Sequence, residues 1–146
     1  MKIVIATDHN GVSEKEIIIN TLKDSYEIID KSTNNTPTDD YPTFALEVAE
    51  YVKNNEGTLG ILLCGTGIGM SIAANKVKGI RCAHVSSVDE AKLARQHNNA
   101  NIIALSYKNN INDILECINK FITTDFSNEE RHIRRINIIS SYEKDN

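Results

Sequence analysis

Cys64 is followed at once by Gly65-Thr66-Gly67-Ile68-Gly69, and the run stands directly behind the apolar segment 59–63. Glycines let neighbouring backbone amides converge on an anion, and a helix opening behind such a turn adds its positive end. A thiol at a strand end, against a helix N-terminus, has a physical reason to ionise. Such a thiolate would be a reactive group standing at the mouth of an amide-lined anion site. The bare pattern also fits a tight strand-to-helix turn with a buried cysteine as filler. Two nucleotide motifs are excluded. Gly-x-Gly-x-x-Gly needs a glycine where Met70 stands, and a P-loop needs Gly-Lys-Ser/Thr.

Other polar groups stand at segment ends. Asp8-His9 closes the apolar run 3–6, where Asp is also a good helix cap. His97 ends a helical segment, a place where histidine often only complements the helix dipole. His84 and His132 have weaker claims, and no two histidines share a metal-binding spacing. Arg131 and Arg135 are four apart, so on a helix both guanidinium groups project from one side, suited to grip a phosphate. With Arg134 and His132 they make a local basic cluster in an acidic chain, although such runs are usually solvated faces.

The elements that must position these residues alternate. Apolar strand-like runs at 3–6, 26–29, 59–63, 80–85 and 101–105 are separated by helical periodicity at 14–23, 42–53, 68–77, 87–96 and 111–122. Pro42 suits a first helical turn, and Ser87 with Glu90 reads as a capping box. The spacing of Ile133, Ile136 and Ile139 predicts a further helix over 128–142. Strands alternating with helices and lacking hairpin signals predict a parallel sheet covered on both faces, a three-layer Rossmann-like α/β sandwich of five strands. Ligands in such folds sit at the carboxyl ends of strands near a switch in strand order. That rule selects Asp8-His9 and the 64–69 loop, and we expect the residues around His97-Asn98 to face the same edge.

The chain has 146 residues and a formal net charge of −4, which fits one domain spanning 1–146 and argues against a nucleic-acid backbone binder. Three cysteines, Cys64, Cys82 and Cys117, lack Cys-x-x-Cys spacing, so neither a zinc site nor a redox dithiol is indicated. Reduced thiols fit a cytoplasmic protein. The run 1–6 is too short for a signal peptide, and no segment reads as a membrane span.

Read together, Asp8-His9-x-Gly11, Asp40-Tyr41-Pro42, Cys64-Gly65-Thr66-Gly67-Ile68-Gly69, Ser71-Ile72-Ala73-Ala74-Asn75-Lys76, Gly79-Ile80-Arg81 and Arg95-Gln96-His97-Asn98 resemble, in order, the type B ribose-5-phosphate isomerases. That family is shared with galactose-6-phosphate isomerase. The resemblance implies an aldose–ketose isomerase needing no cofactor or metal. Cys64 would be the base moving a proton between C1 and C2, and Thr66 would shuttle a proton between the two oxygens. Amides of Gly65, Gly67, Ile68 and Gly69 would hold the enediolate. His97, assisted by Asp8, would open the furanose ring, and Tyr41 and Asn98 would orient the sugar. His9, Arg131 and Arg135 would bind phosphate. The family places its site at a dimer interface, the tail helix reaching into the partner's site, so a homodimer or tetramer is implied.

The chain departs from the family after the fifth strand, where Leu105-Ser106-Tyr107-Lys108 replaces a Gly-rich stretch ending in Arg. Lys108 keeps the arginine's charge but not its fork. Three other readings compete with a ribose-phosphate isomerase: an isomerase of a six-carbon aldose phosphate (allose or galactose 6-phosphate), a non-catalytic sugar-phosphate sensor, and a dinucleotide-binding module. Cys64, Thr66 and His97 standing on one chain favour the ribose reaction.

Overall fold

The computed structural model describes residues 1–146. Five strands, β1 (Lys2–Thr7), β2 (Glu27–Asp30), β3 (Leu59–Cys64), β4 (Cys82–His84) and β5 (Ile102–Ser106), form one parallel sheet of order β2-β1-β3-β5-β4. Between and after them run α1 (Val12–Leu22), α2 (Tyr41–Asn54), α3 (Ile68–Ala74), α4 (Val88–Asn98), α5 (Ile111–Thr123) and α6 (Glu130–Asp145). A 3-10 turn, His9–Gly11, joins β1 to α1.

Strand side chains alternate between two cores. Ile3, Ile5, Ile61, Leu63, Ile103 and Leu105 pack with Ile18 of α1, Ala91 of α4 and Phe121 of α5. Val4, Ala6, Leu62, Cys64, Ile102 and Ala104 pack on the other face with Val48 of α2 and Met70 of α3. Both faces are covered, which is why the strands read as unbroken apolar runs rather than as alternation. Each fully buried Ile or Leu contributes about 1.5–3 kcal/mol.

The chain reverses direction across the sheet between β1 and β3, because β2 lies on one side of β1 and β3 on the other. Helix α1 follows β1 onto one face, and α3 follows β3 onto the opposite face. Their parting places the switch point at the carboxyl edge, between Thr7 and Cys64.

Several boundaries differ from the sequence reading. Helix α3 stops at Ala74, not 77, because the Asn75 side chain turns to pair with Cys82, donating to its carbonyl and accepting its N–H. β4 is correspondingly short. Ser87 caps α4 by accepting the Glu90 N–H, but Glu90 reaches back to Ser86 rather than to Ser87. The tail helix begins two residues later than expected, after Asn128 in a left-handed conformation, and runs on to Asp145.

Candidate active site

At the end of β3 the Cys64 Sγ accepts the Gly67 N–H at 3.1 Å. The loop can close on its own cysteine because Gly67 adopts φ +81°, a left-handed conformation costly for any other residue. A side chain there would also strike Leu105 backbone atoms, its Cβ lying 3.0 Å from the carbonyl carbon. Cys64 is 5% exposed, so the sulfur lies below the surface yet faces the glycine turn. Thr66 is exposed; its Oγ1 accepts the Ile68 N–H at 3.1 Å, leaving the hydroxyl proton free to be given away.

Neighbouring strand ends hold this loop. Ser106 Oγ donates to the Gly65 carbonyl at 2.7 Å, and the Tyr107 N–H donates to the Cys64 carbonyl at 3.2 Å. His84 Nε2 lies 2.9 Å from the Thr66 carbonyl, and because a carbonyl only accepts, that nitrogen carries the proton. Tyr107 fills the space between the 64–69 loop and the turn after β1, its ring lying against Gly11. Burial, with Asp8 nearby, pushes the Tyr107 phenol up, so it remains a neutral donor.

From β1, Asp8 accepts the Asn10 N–H and caps the 3-10 turn. His9 Nδ1 pairs with Asp39 Oδ1 at 2.7 Å, which fixes the ring and frees Nε2. Asp39 also accepts from the His9 backbone N–H, from Asn35 Nδ2 and from the Thr36 N–H. Burial alone would raise the Asp39 carboxyl, but hydrogen bonds from Asn35 and His9 outweigh it and hold it below the usual range. Tyr41, the first residue of α2, lays its ring directly on Gly69. No group of three or more His, Cys, Asp or Glu stands close enough to hold a metal ion.

The remaining expected residues are elsewhere, which corrects the expectation of one shared edge. Helix α4 starts at the carboxyl edge and runs antiparallel to the strands, so His97 and Asn98 arrive at the amino edge. Eleven residues at 1.5 Å each put them about 16 Å away. The Asn98 carbonyl there accepts from Arg81 Nε, just ahead of β4. Helix α6 lies along this same edge: the Ser127 N–H donates to the Gln96 carbonyl before it, and Glu143 accepts the Gly79 N–H near its end. Arg131 and Arg135 are both exposed, and Arg131 Nε pairs with Glu129 Oε2 at 2.9 Å. Thus Cys64, Thr66, Asp8, His9, Tyr41 and the exposed Lys108 gather at the carboxyl edge, while His97, Asn98, Arg131 and Arg135 gather at the opposite one.

Sequence reasoning missed Asp39, Asn35, Ser106 and Tyr107. Asp39 and Asn35 lie in a polar loop with no periodicity, and only the third dimension brings them to His9. The larger cavities also lie away from Cys64; one of about 440 Å³ is lined by Arg81, Asn98, Ile139 and Glu143 at the amino edge.

A glycine-cradled thiol at the switch point of a doubly wound sheet, with polar groups converging from two further strand ends, makes this edge the candidate active site of an α/β enzyme. The chain belongs to the ribose/galactose isomerase family, whose model matches residues 3–139. It is 44% identical to the probable ribose-5-phosphate isomerase B of Mycoplasma genitalium over 147 residues, 98% of this chain and 96% of that protein. It is 41% identical to ribose-5-phosphate isomerase B of Mycobacterium tuberculosis, over 99% of this chain and 91% of the other. The crystal structure of the Mycoplasma genitalium enzyme, which has ribulose 5-phosphate bound, superposes with a TM-score of 0.94 over 99% of this chain and 97% of that one, at 44% identity. Ribose-5-phosphate isomerase B of Clostridium thermocellum gives 0.93 at 42% identity, covering 99% of each chain.

Proposed function

We propose that the protein interconverts ribose 5-phosphate and ribulose 5-phosphate, with Cys64 as the base, and that residues 1–146 act as one isomerase domain. The observation that carries this reading is the Gly67 N–H bonded to the Cys64 sulfur, which aims the thiol into an amide-lined turn. In the reaction, the ribofuranose ring opens as a proton leaves O1 and another reaches the ring oxygen. Cys64 thiolate then takes the proton from C2, and the electron pair moves to give the enediolate, whose charge the loop amides meet. Cys64 returns the proton to C1 while Thr66 passes one between O1 and O2, leaving the ketose. Tyr41 orients the sugar and His9, held by Asp39, meets the phosphate.

Ring opening is assigned to His97, with Asp8 assisting from the carboxyl edge. Helix α4 holds His97 too far from its own Cys64, so the site is completed by a second copy of the chain in a homodimer or larger assembly. That copy brings His97, Asn98 and the phosphate-binding Arg131 and Arg135. Uncovered apolar side chains on both halves support the pairing: Ile68 and Ile72 on α3 are 51% and 59% exposed, and Ile138 on α6 is 65% exposed. The three free, buried cysteines support a reducing, cytoplasmic setting. Lys108, beside the 64–69 loop, adds a point charge for the phosphate.

The test is Cys64→Ala assayed against a panel of five- and six-carbon aldose phosphates. Ribose 5-phosphate turnover should fall at least about a thousandfold while a phosphorylated sugar still binds. Undiminished turnover removes Cys64 as the base, and faster turnover of allose or galactose 6-phosphate by the unaltered protein replaces the ribose assignment.

A further inference from the structure

One buried titratable side chain has no part in the chemistry above. His132, in the first turn of α6, is 5% exposed, and its Nε2 has no hydrogen-bond partner. The nearest carboxylate oxygen, on Glu129, is 3.7 Å away, beyond hydrogen-bond reach. Its ring instead lies flat on that of His97, with centroids 4.4 Å apart and planes 14° from parallel. A position that served packing alone would shed the cost of that orphaned nitrogen by carrying a leucine or phenylalanine.

His97 needs something to hold its ring. Acid–base histidines are usually oriented by a hydrogen bond to one ring nitrogen, but His97 makes no side-chain hydrogen bond within the chain. Opening a furanose takes a proton from one oxygen and gives one to another, which favours an imidazole with both nitrogens uncommitted. Stacking fixes the plane of a ring without occupying either nitrogen. Two bonds support the arrangement. Arg95 Nε donates to the Thr124 carbonyl at the end of α5 and the Ser127 N–H to the Gln96 carbonyl, so the segment leading into α6 is tied to the last turn of α4.

We infer that His132 is a positioning residue for His97, its ring setting the plane in which the His97 imidazole meets the sugar bound by the second copy. The inference rests on the ring-opening role given to His97. The titratable and charged groups acting on His132 are His97, Glu129, Arg131 and Arg135. Burial first, then His97 and Arg131, push His132 down, while Glu129 pulls the other way.

The experiment is a double-mutant cycle on the full-length protein: His132→Leu and His132→Phe, each in the unaltered chain and in His97→Asn, assayed with ribose 5-phosphate beside thermal melting. His132→Leu should lower kcat about tenfold, because a reacting ring that wanders loses its orientation. His132→Phe, which keeps a flat ring, should stay within about threefold of the unaltered protein. In the His97→Asn background His132→Leu should cost nothing further, because a positioning residue acts only through the group it positions. An equal loss in both backgrounds marks a merely structural residue and overturns the inference, as does His132→Leu with unchanged kcat or His132→Phe as poor as leucine. Should His132→Leu not fold, the His97 ring-proton resonance of the unaltered protein still decides: stacking predicts an upfield shift, and a free-histidine position refutes it. Full activity of His97→Asn alone instead removes the role given to His97, whatever His132 does.

Discussion

Gly69→Ala separates the geometry of the site from the stability of the fold. A Cβ built on Gly69 lies 2.5 Å from Tyr41 Cε1 and Cζ and 2.6 Å from its hydroxyl, where ordinary contact begins at 3.4 Å. Both partners cannot keep their places, so the ring must retreat by about 1 Å, and a displacement of that size at a reacting site can cost up to about a hundredfold. Tyr41 is 39% exposed and only its far end is struck, so it can swing outward with little strain. Alanine inside a helix is favoured over glycine by about 1 kcal/mol, so α3 itself gains. The expected result is a melting temperature equal to or above that of the unaltered protein, with kcat/KM for ribose 5-phosphate lowered about 10- to 100-fold. Steady-state kinetics beside calorimetry reads both quantities on one sample. Unchanged kcat/KM in a folded variant would refute Tyr41 as an orienting residue, and loss of activity only in step with unfolding would refute the separation.

Asp39→Ala should release the His9 ring and raise KM for sugar phosphates about tenfold with a smaller effect on kcat, since His9 is assigned to binding. Because the Asp39 carboxyl is depressed in the folded state, its contribution to stability is complete above the unfolded value of 3.8 and fades as pH falls through the lower native value. Urea titrations should therefore show the gap between Asp39→Ala and the unaltered chain closing only in strong acid, and a gap constant with pH would contradict this. Asp30→Ala strips the carboxylate from Lys15, whose side chain is 5% exposed and paired at 2.9 Å. The cost should be about 3 kcal/mol by urea denaturation, the low end for a broken buried pair, because Ser32 still bonds the ammonium. A chain ending at Thr124 should lose both assembly in sedimentation and turnover; an active monomer would exclude a shared site.

The sheet was legible in the sequence because its strands are buried on both faces. Uninterrupted runs such as Ile61-Leu62-Leu63 between helical periodicities admit little besides a parallel α/β sandwich. The 64–69 loop was legible for a similar reason: its glycines and cysteine are contiguous, so spacing alone brings them together. What failed was direction. His97 is followed by a strand start, not preceded by a strand end, and a helix antiparallel to its strands delivers its last residues to the wrong edge for Cys64. Asp39 and Asn35 were illegible because an irregular loop carries no period from which to infer which side chains turn inward. The stack of His97 on His132 joins residues 35 positions apart through the docking of α6, which the isoleucine spacing foretold without fixing what it would cover.

Strand β3 is hydrogen-bonded on both sides, to β1 and to β5, and all six of its residues are buried. Shifting the strand that carries the sulfur would disturb two ladders and two cores at once. Tyr41 and Lys108, by contrast, stand exposed at a helix start and a turn of the carboxyl edge, where exchanging one side chain disturbs little of the fold. A lineage, or a designer, wanting this scaffold to accept a different sugar can therefore leave the bond-making centre alone and reshape the rim.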